Sequence, residues 1–443
     1  MNQGGLIGGK AWVVTADMGY GHKRAVYPLR GIAYQEIISV GSDSDTSEKE
    51  QKLWKRILRL YEFLSRAQAI PVFGKGLFKI LDFFLRIPSM YPERDQSGST
   101  FQLNLLYSGI KKGLCSGMLE KIWTKPDLPL ITSFYAPAIA AKENKFPNVY
   151  CIICDSDLNR VWVPREPHKT KLEYFAPCGR AARRLLAYGV LNKNIHLTGF
   201  PLPLELIGDR DLNILKQDIG QRLFYLDPNN RFWPLHARNI EYFIGKENCT
   251  FHHVRKLTLT YAVGGAGAQW KMAEKLALSL KDKLDAHEIV LNLVAGSRRE
   301  VKEGFARFKQ KHFTGNQNLN IIYAMDFDCY IGLFNQCLRN TDILWTKPSE
   351  LSFYCALGIP IIMSPPIGSQ ENYNRRWLFE LQAAFDMQEP KYTCEWLMDL
   401  LYNGRLAEAA WAGFLKARKY GTYHIMDFIQ NGKLMEQSDP LKR

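Results

Sequence analysis

The stretch 346–374, TKPSELSFYCALGIPIIMSPPIGSQENYN, joins a polar turn, a helix-length run, a short apolar strand and a second polar loop. Ser349 is of the residue type that caps helices, and the spacing predicts a helix over Glu350–Leu357 ended by Gly358-Ile359-Pro360. Ile361–Met363 then reads as a buried strand, and Gly368-Ser369-Gln370-Glu371 as the opening of the next helix. Helix, strand and polar loop in this order make a unit of parallel α/β sheet. In such sheets ligands collect outside the carboxyl ends of the strands, where helix N-termini offer unpaired N–H groups to phosphate.

Working outward, the same alternation recurs on both sides. Ala11–Thr15, Ile131–Ser133, Val149–Cys154, Leu172–Phe175 and Ile195–Thr198 read as strands with helical stretches between them. A second series runs through Leu257–Val263, Glu288–Ala295, Leu319–Met325, Ile343–Trp345 and Ile361–Met363. The expected fold class is therefore α/β with two Rossmann-like halves. The expected division is an N-terminal domain over 1–203, a linker or insertion over 204–255, a C-terminal domain over 256–426 and a loose tail over 427–443.

With 443 residues the chain exceeds what one core usually holds, and 46% hydrophobic with 23% charged residues excludes a mostly disordered protein. The formal charge of +14 points to an anionic partner: a membrane surface, a nucleic acid or a phosphorylated substrate. Residues 1–10 lack the charged and apolar regions of a signal peptide, and no uncharged run approaches the ~20 residues of a membrane span. Nine scattered cysteines suit a reducing compartment. Cys151 and Cys154 lie inside an apolar strand with no second pair nearby, so core packing is expected there rather than zinc.

The first strand feeds Gly19-Tyr20-Gly21-His22, in which two glycines allow a tight turn beside a ligand and His22 stands at the mouth of a helix. Gly264, Gly265 and Gly267 follow the first strand of the second half and precede a helix, which lets backbone amides approach a diphosphate. Asp155-Ser156-Asp157 and Asp326-Phe327-Asp328 lie at strand ends, where carboxylates hold a divalent metal or, for Asp155, act as a general base. Residues 51–87 carry eight Lys or Arg against Glu62 and Asp82. Leu53, Ile57, Leu60 and Leu64 recur there at helical spacing with Lys52, Arg56 and Arg59 on another face, the pattern of a helix lying on an anionic membrane.

Together these residues resemble the monogalactosyldiacylglycerol synthases and the lipid-linked N-acetylglucosaminyltransferase of peptidoglycan synthesis. Gly19, Gly21 and His22 match the family's Gly-Gly-His turn, Cys154-Asp155 its Thr-Asp strand end, and Gly199-Phe200-Pro201-Leu202-Pro203 its "GLPVRP" exit. In the second half, Gly264, Gly265 and Gly267 match its glycine loop and Gly296-Ser297-Arg298 its "CGR" loop. Gly358-Ile359-Pro360 with Gly368, Gln370, Glu371 and Asn374 match its "GLP…GQE…N" signature. Two departures stand out. The family's ribose-binding glutamate falls on Phe353, with Glu350 one turn earlier, and its histidine after the Thr-Asp strand is replaced near Arg160.

The resemblance implies a GT-B type fold, with two Rossmann-like domains facing a cleft, that moves a sugar from a UDP-sugar to a lipid or lipid-linked acceptor with inversion. It implies His22 or Asp155 as base, and Gly21, Gly264, Gly265, Gly267, Ser297, Arg298, Glu350, Gln370 and Glu371 around the donor. No obligatory metal or other cofactor is expected, and no nucleic acid. Lys52, Lys55, Arg56 and Arg59 would hold the enzyme on the cytoplasmic face of a membrane. Two rivals remain on the same fold: a nucleotide-sugar 2-epimerase, against which the basic amphipathic segment argues, and a non-catalytic basic protein binding membranes or nucleic acid.

Overall fold

The computed structural model describes residues 9–41, 46–56, 87–250, 255–263, 270–366 and 368–443. Contacts gather the chain into two compact units. The first comprises Met1–Leu202, Ile367–Asn374 and Arg418–Arg443; the second comprises Pro203–Pro366 and Arg375–Ala417.

The first unit is built on a parallel sheet of β1 (Trp12–Ala16), β2 (Ile38–Val40), β3 (Leu130–Thr132), β4 (Val149–Ile152), β5 (Glu173–Ala176) and β6 (Ile195–Leu197), in the order β2-β1-β3-β4-β5-β6. β1 and β3 are buried at every position, as strands covered by helices on both faces must be. The chain leaves β1 to one side for β2 and returns to the other for β3, so the switch point lies between β1 and β3.

The second unit repeats the plan with β7 (Leu257–Ala262), β8 (Ile289–Gly296), β9 (Leu319–Tyr323), β10 (Ile343–Thr346), β11 (Ile361–Met363) and β12 (Ala384–Asp386), ordered β12-β11-β10-β7-β8-β9. This is the dinucleotide-fold order, with its switch point between β7 and β10. Asp342, fully buried just before β10, takes two bonds of 2.6 Å from the Arg255 guanidinium and one of 2.8 Å from the Thr258 N–H. That bidentate pair ties the starts of β7 and β10 together.

Several expectations are corrected. The stretch 204–255, read as a linker or insertion, carries the helices Asn213–Leu226 and Trp233–Ile244 of the second unit. Arg418–Arg443 belongs to the first unit rather than the second, and its end is not a loose tail, because Leu441 is buried in a short 3₁₀ turn capped by Asp439. Within it the helix Gly421–Asn431 sets Phe428 against Tyr150, Phe175 and His196 at centroid distances of 5.5, 5.4 and 4.3 Å. Glu350–Leu357 has its expected bounds but is a 3₁₀ helix buried along its whole length, and Ser349 makes no side-chain cap. It ends at Gly358, whose φ of +68° suits glycine and whose added Cβ would lie 2.1 Å from Ile219 Cδ1.

Candidate functional site

In the first unit three strand ends converge. Gly19, at φ +112°, turns the chain sharply after β1 and starts the helix Tyr20–Val26, which puts His22 in the first turn as expected, with Gly21 beside it. The His22 ring bonds through Nδ1 to the Ser133 carbonyl at 2.8 Å. A carbonyl only accepts, so Nδ1 carries the proton and Nε2 carries the lone pair, the tautomer a general base needs. Ser133, fully buried at the end of β3, also joins its hydroxyl to Thr15 of β1 at 3.0 Å. The same Ser133 carbonyl accepts the Cys154 thiol at 3.5 Å, which draws the end of β4, and with it Asp155, to the switch point.

Asp155 is half-buried, and the Asn374 side-chain amide donates to its Oδ1 at 2.7 Å. Asn374 Oδ1 in turn accepts the Ser156 N–H at 2.8 Å. Phe134 packs edge-on against His22 at 4.8 Å and lies 6.3 Å from Trp54, with Trp162 6.1 Å from the His22 ring.

Members of the two aspartate triplets take protein partners. Asp157 is fully buried in a bidentate pair with Arg184, at 2.7 and 3.1 Å. Asp326 caps the helix Phe327–Arg339 through the Cys329 N–H at 2.8 Å, which holds its carboxyl below the usual range. Among the described residues no group of three or more His, Cys, Asp or Glu side chains is arranged so that it could hold a metal ion. Arg160, standing near the family's histidine, is buried and staples its loop through bonds to the carbonyls of Ser97 (2.6 Å), Val163 and Pro164 (3.0 Å).

In the second unit three of the donor residues expected from the sequence, Ser297, Arg298 and Glu350, follow the carboxyl ends of the parallel strands β8 and β10 and so lie along one edge of the sheet. Ser297 and Arg298, both half-buried, follow β8, and Arg298 occupies the N-cap position of the helix Arg299–His312 without a side-chain cap bond. Buried Glu350 follows β10. Phe353 is buried and packs on Trp377 with centroids 4.9 Å apart. Gly264, Gly265 and Gly267 lie outside the described residues. Gln370 and Glu371 open the helix Ser369–Leu381 and belong to the first unit, Glu371 buried and Gln370 half-buried.

Only the root of the basic segment is described. Glu50 is buried and accepts from the Cys115 and Gly117 N–H groups, the Ser116 hydroxyl and the Trp54 indole at 2.9, 3.0, 3.0 and 3.2 Å. Lys52, Lys55 and Arg56 are exposed on the same helical run; Arg59 and the second helix expected after Pro71 lie outside the described residues. No helix among the described residues is long and apolar enough to cross a membrane.

Two doubly wound parallel sheets with polar strand ends define a fold of the GT-B type, and the motifs make the chain similar to glycosyltransferases of that type. A family model described as a domain of unknown function (DUF6938) matches residues 299–426. Processive diacylglycerol beta-glucosyltransferase of Bacillus pumilus is 21% identical over 64% of this chain and 63% of its own length. The chain thus spans under two thirds of that relative. The protein of the same name from Bacillus licheniformis is 21% identical over 88% of this chain and 86% of its own. Among solved structures, UDP-GlcNAc 2-epimerase of Neisseria meningitidis bound to UDP-GlcNAc gives a TM-score of 0.47 at 12% identity, covering 95% of this chain and 97% of that one. Acinetobacter baumannii MurG gives 0.46 at 12%, covering 95% and 99%.

Proposed function

We propose that this protein is a glycosyltransferase that moves a hexose from a UDP-sugar to a lipid hydroxyl at an anionic membrane surface, with inversion at the anomeric carbon. The observation that carries the reading is the meeting of His22 and the Cys154-Asp155 turn on one carbonyl, that of Ser133, at the switch point of the first sheet. The acceptor oxygen bonds to the anomeric carbon as that carbon's bond to the diphosphate breaks. UDP leaves with the electron pair, and the hydroxyl proton passes to His22 Nε2 or to Asp155. On the donor side, Ser297 and Arg298 of the second unit would meet the diphosphate, and Glu350 the ribose. The exposed Lys52, Lys55 and Arg56 support a peripheral position on the membrane. The names of the two Bacillus relatives suggest glucose and diacylglycerol as first substrates to try.

The direct experiment measures UDP release from UDP-glucose and other UDP-hexoses, with and without diacylglycerol in anionic vesicles and with added chelator. Release that depends on the lipid and survives chelation is expected. Turnover of a UDP-sugar with no acceptor, leaving the nucleotide attached, would make the protein an epimerase. A strict metal requirement would return the aspartate triplets to the mechanism.

A further inference from the structure

We propose that Asn374 is a positioning residue for this reaction, holding the Asp155 carboxylate in one orientation at the end of β4. The proposal rests on the reading of Asp155 as the carboxylate that meets the acceptor hydroxyl.

Asn374 is fully buried, a position where an amide must find partners or destabilise the fold. Its orientation is forced. The Ser156 N–H, at 2.8 Å, can be met only by Oδ1, which leaves Nδ2 to donate to Asp155 at 2.7 Å. Flipped, it would set N–H against N–H and oxygen against carboxylate. One side chain therefore grips both the backbone after Asp155 and its carboxylate. A hydrogen bond to the charged form favours that form over the protonated one, and this one also fixes the direction in which the carboxylate faces. The grip is not a local turn, since 218 residues separate Ser156 from Asn374. Asn374 lies in the helix Ser369–Leu381, whose first turn also carries Gln370 and Glu371, so those two side chains and the orientation of Asp155 depend on one helical stretch.

The test compares Asp155→Asn, Asn374→Ala and Asn374→Asp in the full chain with UDP-glucose and diacylglycerol vesicles. Asn374→Ala should lower kcat tenfold or more while KM for UDP-glucose stays within about twofold. Asn374→Asp is nearly isosteric and still accepts the Ser156 N–H, but it sets a second carboxylate against Asp155. The pair then holds a proton to higher pH, and the acidic limb of the kcat profile should move up by about one pH unit. Wild-type kcat in Asn374→Ala overturns the proposal. So does a folded Asn374→Asp whose profile is unmoved while Asp155→Asn is inactive, because a purely structural asparagine would give that result. Full activity in Asp155→Asn removes Asp155 from the chemistry and defeats the underlying reading and this inference together.

Discussion

The bond from His22 Nδ1 to the Ser133 carbonyl decides which ring nitrogen can take a proton, and it allows binding and chemistry to be separated by substitution. His22→Asn can keep a donor near Ser133 but has no base, so it should lose turnover as His22→Ala does, by about a hundredfold or more. UDP affinity in both variants should stay near wild type. A His22→Asn enzyme at full rate would take the imidazole out of the mechanism. On the donor side, Glu350→Gln should weaken UDP binding much more than binding of 2′-deoxy-UDP, whereas equal losses would deny it the ribose. At this scale the sequence was only partly legible. His22, Asp155 and Glu350 could be picked from motifs, but Asn374 stood in the signature without a role, because its partners lie 218 and 219 residues away. Nor did anything local mark Arg184, 27 residues from Asp157, as the partner that completes a buried pair.

Among the described residues, ten of the twelve strands are legible as apolar runs; β2 and β12 are not, while β6, equally short and also at a sheet edge, is. The buried 3₁₀ helix Glu350–Leu357 hides its type, since every side chain is inside and no periodicity survives. Its last turn is held by Arg222 of the helix Asn213–Leu226, which donates at 2.7 Å to Leu357 O and at 2.7 Å to Thr341 O from a fully buried position. Burial draws this guanidinium down to about 10, with Asp218 and Asp342 opposing, so it stays charged at neutral pH. Arg222→Met should strip both carbonyls of a donor and cost about 3 kcal/mol in denaturant unfolding. A change under about 0.5 kcal/mol would mean that other groups replace it. The basic run can be tested separately. Exchanging Lys52, Lys55, Arg56 and Arg59 for Gln should weaken sedimentation with anionic vesicles at least tenfold at low salt and leave UDP binding intact, given about 1 kcal/mol per cation near such a surface. Unchanged vesicle binding would assign those side chains to solvation alone.

For the molecule as a whole, the two-sheet plan is legible because each half repeats the alternation of apolar run and amphipathic stretch. The division between halves is less so, because helix periodicity cannot tell which sheet a helix will cover. The last helix, Gly421–Asn431, is the clearest case, and it carries a titratable group at its docking face. His424 bonds through Nδ1 to Thr198 O at 2.8 Å in a buried position. Burial, helped by Arg418, pulls its pKa below 6.5, against the backbone bonds to Thr198 and Lys442 and the charge of Asp427. The unfolded chain then binds more protons than the folded one, so this part of the stability is present above pH 6.5 and is lost as pH falls through the folded pKa. Between about pH 7 and pH 5, Tm should fall less steeply in His424→Gln than in wild type. Parallel slopes would show that His424 does not carry the effect.

The return of Arg418–Arg443 to the first unit has a consequence for how the protein is made. A ribosome adding about 5–20 residues per second needs on the order of 10–40 s to pass from Pro203 to Ala417, and throughout that time the first sheet has been synthesised but lacks Phe428 and His424. The half that emerges first is therefore completed last. Loss of the final helix by early termination would strip the N-terminal half of its covering and expose apolar strands to chaperones and proteases, while the chemically younger half could already be closed.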